Sequence, residues 1–414
     1  MFTIAKPVLG EEEAEAAREA ILSGWVTQGP RVELFEHKFA GFIGGVHACA
    51  VSNCTAALHL GLKVAGVRPG DTVITVSFSF IATANAIRYC MGEPVFVDVD
   101  PQTGNLSPAK LEELIEKDFK QTSCGLEYQH VDRLKLMNES PFRYLDNPKG
   151  RLAAVLVVHQ MGMPADMPAL SAVCKKYDIP LIEDAACAIG SKISIDDGKT
   201  FIPIGSPLSE LACFSFHPRK VITTGEGGMI VTSSSTIDEE VRRLRHHAMN
   251  ISDVERHKNN SVLFEEYTET AYNYRMTDIQ AAIGHVQLDR VGELVVHRRR
   301  LADVYAGVLK GANHVKPPHE PEECRSNWQS YMVLLDKPEM QRPVMEALSR
   351  QGISTRRGIM CSHLEAPYEQ SWSDDGLSVS RSMRDRGVIL PLHHGISESD
   401  AELIGRALLR VCNG

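Results

Sequence analysis

The sequence lacks the patterns that mark several classes of protein. It has no CxxC pair and no HExxH spacing, and its ten cysteines are scattered along the chain, so neither a disulfide framework nor a metal site is expected. It also has no run of about 18 apolar residues, so no membrane-spanning helix is expected. A net charge of -9 disfavours binding to nucleic acid or to an anionic membrane surface. No internal repeat or low-complexity tract is visible.

The composition is that of an ordinary globular protein. Hydrophobic residues make up 43% and charged residues 23% of the sequence. Its length of 414 residues allows two or three domains, or one large α/β domain with a smaller one. The first residues contain no basic segment followed by an apolar stretch, so no signal peptide is predicted. Because the cysteines resemble reduced thiols, we expect a cytoplasmic location.

Strand-like and helix-like segments alternate through most of the chain. Apolar strand-like runs are separated by segments of helical periodicity, and these runs occupy residues 71–76, 93–99, 152–158 and 180–183. This alternation predicts an α/β fold with a mostly parallel sheet covered on both faces. We expect a large domain over residues 1–300 and a smaller α+β domain over residues 301–414.

Two polar segments interrupt this pattern. Residues 119–150 are charged and aperiodic, and they are too long for an ordinary connection. We expect them to form an insertion that lies over the mouth of the active site or in a subunit contact. Residues 249–270 are also polar, and we expect a loop there.

The most informative stretch is CFSFHPRKVITTGEGG, residues 213–228. An apolar strand-like run leads to Lys220, which precedes a turn rich in Thr and Gly. A lysine that is held near other cations or away from water loses its proton readily and becomes a nucleophilic amine. Such an amine can form a Schiff base with an aldehyde cofactor. The alternative is a surface lysine beside Arg219.

Two other turns have the composition of ligand sites. Ser52, Asn53, Cys54 and Thr55 lie between a strand-like run and a helix, where unpaired amides can bind an anion; a plain helix cap is the alternative. Asp184 ends an apolar strand, where open α/β sheets bind ligands. It too can be explained as a helix cap.

These stretches resemble, in order, the motifs of the DegT-type sugar aminotransferases. Those enzymes are fold-type I proteins that use pyridoxal 5′-phosphate (PLP). The matching stretches, which extend from about residue 8 to the end apart from residues 119–150, are VSNCTAALHL, SFSFIATANAI, IEDAACAIGS, FSFHPRKVITTGEGG, YNYRMTDIQAAIGHVQLDRV and RGVILPLHHGISESD. The resemblance implies a three-layer PLP-transferase domain followed by the small C-terminal domain.

The resemblance also implies roles for individual residues. Lys220 would bind the cofactor aldehyde and then move a proton between substrate and cofactor. Asp184 would hold the pyridine nitrogen protonated. Phe80 would stack on the ring, unless it is ordinary core.

The phosphate would be bound by a second group of residues. Thr55 and Ala56 would contribute backbone amides, Cys54 would contribute its amide, and Ser215 would contribute its hydroxyl. Asn273 would reach the phosphate bound to the neighbouring subunit, which implies a homodimer with shared sites. Cys187 occupies a position that is often Gln, His or Glu in the family, where the side chain can contact the phenolic oxygen of the cofactor. Because a thiol is a poor hydrogen-bond partner, this contact is expected to be weak here.

The predicted function is transfer of an amino group from L-glutamate to a nucleotide-activated keto sugar, with a 4-keto-6-deoxyhexose as the substrate type. A keto-cyclitol substrate is the first alternative, and a non-catalytic PLP-binding regulator is the second. Residues 352–358 and His363 belong to a region that could help enclose the substrate. Arg356 or Arg357 could bind a diphosphate or a donor carboxylate, or could form a surface ion pair.

Overall fold

The computed structural model describes helices and strands over residues 1–45, 47–196, 198–250, 264–369 and 376–413. The helices are α1 (Glu11–Leu22), α2 (Pro30–Ile43), α3 (Cys54–Val64), α4 (Ala82–Tyr89), α5 (Pro108–Asp118), α6 (Val131–Lys135), α7 (Met167–Lys176), α8 (Ser235–Leu244), α9 (Asp278–Asp289), α10 (Val291–Leu309), α11 (Gln341–Arg350), α12 (Ser378–Arg386) and α13 (Glu398–Asn413). The strands are β1 (His47–Val51), β2 (Thr72–Val76), β3 (Glu93–Val97), β4 (Phe119–Thr122), β5 (Gly125–Tyr128), β6 (Leu152–Val158), β7 (Leu181–Asp184), β8 (Lys192–Ser194), β9 (Phe201–Pro203), β10 (Leu211–Ser215), β11 (Gly228–Thr232), β12 (Val315–Lys316), β13 (Cys324–Arg325), β14 (Tyr331–Leu335), β15 (Arg356–Arg357) and β16 (Gly387–Leu390).

The large part of the molecule is built on a seven-stranded sheet with the order β1-β11-β10-β7-β6-β2-β3. Strands β3, β2, β6, β7 and β10 pair in parallel, whereas β11 is antiparallel to both of its neighbours. The predicted α/β fold with a mostly parallel sheet is therefore confirmed.

Alternation along the strands divides the core into two faces. In β6 every residue is buried; Ala154 and Leu156 pack in a cluster with α3, α4 and α8, whereas Val155 and Val157 pack in a cluster with α5 and α7. Successive side chains point to opposite faces of a sheet. An all-apolar strand is thus buried on both sides, which is the reason for the three-layer arrangement.

Three neighbouring parallel strands run to the same edge of the sheet. Asp184 at the end of β7 pairs with Val158 of β6 and with Cys213 of β10. Beyond β10 the chain forms a loop and returns as β11, with Ser215 paired to Gly228. The segments that follow these strands therefore meet at one edge of the sheet.

The C-terminal part has its own antiparallel sheet, with the order β12-β14-β16-β15. Helices α10, α11 and α13 pack on it through buried apolar residues. The N-terminus joins this part, because Phe2 forms a bridge with Ile353. The expected boundary near residue 300 falls within α10 and remains a prediction.

A buried histidine connects this part to the large sheet. The backbone amide of His363 donates to Ser77 Oγ at 3.1 Å, and Nδ1 of the same residue lies 2.5 Å from that hydroxyl. The Ser77 hydroxyl and Nδ1 are hydrogen-bonded, and the tautomer of the ring decides which of the two donates. Burial and nearby arginines, partly opposed by Asp98, lower the pKa of His363 to about 4. His363 thus serves as a neutral junction residue, 1% exposed.

Residues 119–150 are ordered into elements of their own. They form the hairpin β4–β5 and helix α6, followed by a 3-10 turn at Pro141–Tyr144. Arg88 links them to the C-terminal part, because its guanidinium donates to the carbonyls of Asn138 and Pro367 and lies 3.9 Å from the ring centroid of Tyr368. The polar segment 249–270, predicted to be a loop, lies partly outside the described residues, since 251–263 are not among them.

We expect Gly228→Ala to destabilise the protein. A Cβ at this position would lie 2.6 Å from the carbonyl carbon of Asn53 and 2.7 Å from the amide nitrogen of Cys54, so helix α3 would have to move. Overpacking of this kind costs roughly 1–3 kcal/mol, and a lower midpoint of urea unfolding would report it. The control is Gly41→Ala in α2, where an added Cβ meets no atom within 4 Å. Equal midpoints for the two variants would contradict the expectation.

Candidate active site

The loop between β10 and β11 carries Lys220 in a fixed frame. At its base the Phe216 amide donates to the Gly227 carbonyl at 2.9 Å, and the Thr224 amide donates to the Phe216 carbonyl at 3.0 Å. Near its tip the carbonyl of Arg219 accepts from Gln329 Nε2 at 2.6 Å. The loop is thus held both by its own backbone and by the C-terminal part.

The amine of Lys220 lies 3.1 Å from the thiol sulfur of Cys187. Burial lowers the pKa of Lys220, as expected for an amine held away from water. The acidic groups of Cys187, Cys54 and Asp184 outweigh this effect, and the pKa is raised above its ordinary value. The sequence-based expectation of a readily deprotonated lysine is therefore not met by the protein alone, because these acidic groups surround the amine.

The Asp184 carboxylate is buried at the end of β7, 5% exposed. Oδ2 accepts from the Thr83 hydroxyl at 2.8 Å, and Oδ1 accepts from the Ala186 amide at 3.2 Å. Burial raises the pKa of Asp184, and these hydrogen bonds and the charge of Lys220 oppose the rise. Alternation along β7 places Asp184 on the same face as Ile182, which packs with α3 and α4.

The N-terminus of helix α3 points into the same region. The Cys54 thiol donates to the carbonyl of Cys213 at 3.7 Å, which places the start of the helix against β10. Asn53 caps the helix by accepting from the Ala56 amide at 2.9 Å. The amides of Cys54 and Thr55 have no hydrogen-bond partner among the described residues. The end of the helix therefore combines a cap with two available donors.

The remaining predicted residues take different positions. Ser215 is buried at the end of β10, where its hydroxyl accepts from the His217 amide at 3.4 Å. Phe80 lies in the turn before α4, not in the helix, and it is 57% exposed, which argues against an ordinary core residue. Asn273 is exposed beside the bridge between Val51 and Arg275.

Sequence reasoning missed the residues that hydrogen-bond Asp184 and the turn carrying Cys187. Thr83 bonds Asp184, and Ser79 lies 2.9 Å from the Thr83 hydroxyl. Asn327 donates from Nδ2 to the carbonyls of Cys187 and Ile189, each at 2.8 Å, and so fixes the turn that carries the thiol. The small polar residues within SFSFIATANAI were a signal that could have indicated Ser79 and Thr83.

Positive charge collects beside the lysine loop. Arg219, Arg356 and Arg357 are exposed, and burial together with the charges of Arg219 and Arg357 lowers the pKa of Arg356. Arg357 lies 3.9 Å from Glu365, a distance that fits a weak surface ion pair. The loop and β15 therefore present a cationic patch. His363, by contrast, is buried in its bond with Ser77.

The sequence profile of the DegT/DnrJ/EryC1/StrS aminotransferase family matches residues 7–409. The chain belongs to this family. It is therefore a PLP-dependent aminotransferase, and the resemblance found in its motifs is confirmed over nearly its full length.

Relatives of similar length act in sugar and polysaccharide biosynthesis. A GDP-perosamine synthase of Caulobacter vibrioides is 33% identical over 99% of this chain and 98% of its own length. The spore coat polysaccharide biosynthesis protein SpsC of Bacillus subtilis is 30% identical over 99% of this chain and 96% of its own length. The crystal structure of the aminotransferase TlmJ from Streptoalloteichus hindustanus is 29% identical, with a TM-score of 0.81 over 100% of this chain and 99% of that one.

The residues present fit PLP. An amine, a buried carboxylate, a hydroxyl and two available amides converge at one edge of the sheet, and Gly228 leaves room for helix α3 to approach it. These groups match an aldehyde, a pyridine nitrogen and a phosphate.

Among the residues that the structure describes, no cluster of His, Cys, Asp or Glu suits a metal ion. In the same ranges, no helix has both the length and the apolar character needed to cross a membrane.

We expect Lys220→Ala to fold normally but to lose the visible absorption band of the bound cofactor and its turnover, because no other amine replaces the Schiff-base nitrogen. Circular dichroism and the absorption spectrum would measure both effects. Lys192→Ala, at an exposed position in β8, is the control and should match the wild type. Full turnover by Lys220→Ala would contradict the assignment.

Proposed function

We propose that this enzyme transfers the amino group of L-glutamate to a nucleotide-activated keto sugar, of which a 4-keto-6-deoxyhexose is the expected type. The observation that carries the proposal is the convergence of Lys220 with Asp184 in a chain whose full-length relatives include a GDP-perosamine synthase. Sugar aminotransferase activity in nucleotide-sugar or polysaccharide biosynthesis is supported by the family. The donor and the sugar are the parts proposed here.

The side chains divide the work between binding and proton transfer. PLP supplies an aldehyde that accepts the amino group and a pyridine ring that accepts the electron pair. Asp184 would hold a proton on the pyridine nitrogen. Phe80 would cover the ring face, and Ser215 and the α3 amides would bind the phosphate. Lys220 would hold the cofactor aldehyde and would serve as the base that moves a proton between the substrate carbon and the cofactor carbon.

Lys220 needs to be neutral to act as a base. The pKa of Lys220 is raised in the protein without cofactor because three acidic groups surround its amine. In the proposed arrangement Asp184 is engaged by the cationic pyridine ring, which removes part of that effect. The burial that lowers the pKa of the amine is retained. Pairing of Asp184 with the pyridinium would therefore shift the pKa of Lys220 downward from its value in the protein without cofactor.

The cationic patch supports an anionic sugar carrier. A nucleoside diphosphate carries its charge on two phosphates, and arginine forks match phosphate oxygens in geometry. Arg219 and Arg356 belong to different parts of the molecule and are both exposed beside the lysine loop. We assign them to the diphosphate and leave Arg357 to its contact with Glu365. A neutral keto-cyclitol would make no use of this charge.

The first test is the absorption spectrum of the PLP-loaded protein before and after L-glutamate is added. We expect the visible band to disappear as the amino group enters the cofactor, and to return when a nucleotide-activated 4-keto-6-deoxyhexose is added. L-Aspartate and L-glutamine are the donor controls, and Lys220→Ala is the protein control.

Each other result points to a different function. If the band returns with a keto-cyclitol but not with the nucleotide sugar, the proposed acceptor is wrong. A band that no amino donor removes would favour a PLP-binding regulator. A band removed by another amino acid but not by glutamate would overturn the donor alone.

The shared-site dimer requires its own test. Asn273 is exposed in the single chain. A residue that reaches the site of a neighbouring subunit is expected to be exposed in this way. We expect Lys220→Ala and Asn273→Ala chains, each weak when expressed alone, to recover about a quarter of the wild-type activity when co-expressed, because half of the dimers then hold one complete site. Turnover of the unselected co-expressed mixture would measure this. No recovery would place Asn273 in its own subunit's site, and full activity of Asn273→Ala expressed alone would place it outside both sites.

A further inference from the structure

A chain of hydroxyl groups leads from the turn before α4 to the Asp184 carboxylate. Ser79 Oγ lies 2.9 Å from Thr83 Oγ1, and Thr83 Oγ1 lies 2.8 Å from Asp184 Oδ2. Ser79 and Thr83 are each 2% exposed, so water does not compete for these bonds. Ser79 lies in the turn before α4 and Thr83 lies in the first turn of that helix, four positions further along the chain.

The direction of the protons follows from the chemistry of the groups. An ionised carboxylate only accepts hydrogen bonds, and each hydroxyl has one proton to donate. Thr83 must therefore donate to Asp184, and Ser79 must donate to the oxygen of Thr83. Hydrogen bonds arranged in this way polarise one another, so the second hydroxyl strengthens the first.

We propose that Thr83, supported by Ser79, is a positioning residue that holds the Asp184 carboxylate ionised and correctly oriented for the pyridine nitrogen of PLP. The inference rests on the proposed role of Asp184 and adds a residue to it. Thr83 itself acts through the carboxylate and does not touch the reacting atoms.

Burial makes such a residue necessary. A carboxylate removed from water favours its neutral form, which would withdraw the charge that keeps the pyridine nitrogen protonated. Thr83 and the Ala186 amide each donate to one oxygen, and both bonds favour the ionised form. With each oxygen bonded once, the plane of the carboxylate is fixed, and its remaining lone pairs are left for the cofactor.

The same turn also sets the position of Phe80. The Thr83 amide donates to the Phe80 carbonyl at 3.1 Å, so the residue assigned to the ring face and the residue that supports the ring nitrogen belong to one hydrogen-bonded unit. A displacement of this turn would therefore change both contacts with the cofactor.

The test compares Thr83→Val, which replaces the hydroxyl with a methyl group, with Thr83→Ser, which keeps the hydroxyl. We expect Thr83→Val to bind PLP about tenfold more weakly, because a buried charged acceptor loses its donor, and to shift the visible absorption band. Thr83→Ser should restore both the affinity and the band. The dissociation constant is measured by absorbance titration with PLP, without turnover.

The matched control is Thr75→Val in β2. Thr75 is also fully buried, and its hydroxyl donates to the Leu156 carbonyl at 2.8 Å. This variant should lower the melting temperature while leaving PLP affinity within about twofold of the wild type. A similar loss of affinity in both threonine variants would reduce Thr83 to a structural role and overturn the proposal.

Two further variants distinguish a wrong role for Thr83 from a wrong role for Asp184. If Thr83→Val does not fold, Ser79→Ala decides the question: about threefold weaker binding and a shifted band support the proposal, and wild-type values overturn it. Asp184→Asn tests the underlying assignment. If PLP binding is unchanged in Asp184→Asn, the role of Asp184 is wrong; if it is weakened there but not in Thr83→Val, only the role of Thr83 is wrong.

Discussion

The pairing of three parallel strands in register is the constraint on which the site depends. Val158 and Asp184 end β6 and β7, and Asp184 is the register partner of Cys213, two residues before the end of β10. Because these strands are parallel, the segments that follow them share one edge of the sheet, and a carboxylate and an amine from different segments come close to each other. A shift of β7 by one residue would turn Asp184 to the opposite face, away from α4 and the lysine loop.

Much of this arrangement could be predicted because its signals are local. The apolar runs of the parallel strands predict a sheet buried on both faces, and the structure confirms it. Lys220 follows a buried strand and precedes a Gly-rich turn, so a single stretch of sequence indicated its importance. The family motif confirmed by the comparison covers the same stretch. The roles assigned to the individual site residues remain predictions, since no bound cofactor tests them.

The parts that could not be predicted depend on contacts between distant residues. Thr83 and Asp184 are 101 positions apart, and no local pattern links them. The raised pKa of Lys220 depends on acidic groups that only the fold brings near it. Residues 119–150 were predicted to leave the sheet, but their hairpin and their attachment through Arg88 follow from contacts with the C-terminal part. Where charge and packing are set by tertiary neighbours, periodicity and spacing carry no information.

The two halves of the site differ in the length of chain that separates the residues forming them. The lysine loop is closed at its base by the pair of Ser215 with Gly228, so a short hairpin suffices to form it. The bond of Thr83 to Asp184 closes a loop of 101 positions, and β6 and β7 must be in place before it can form. Loop-closure entropy rises with the logarithm of loop length, so the lysine half is the cheaper one to assemble. The contact that orients the acid is thus the one whose formation costs the chain more conformational entropy.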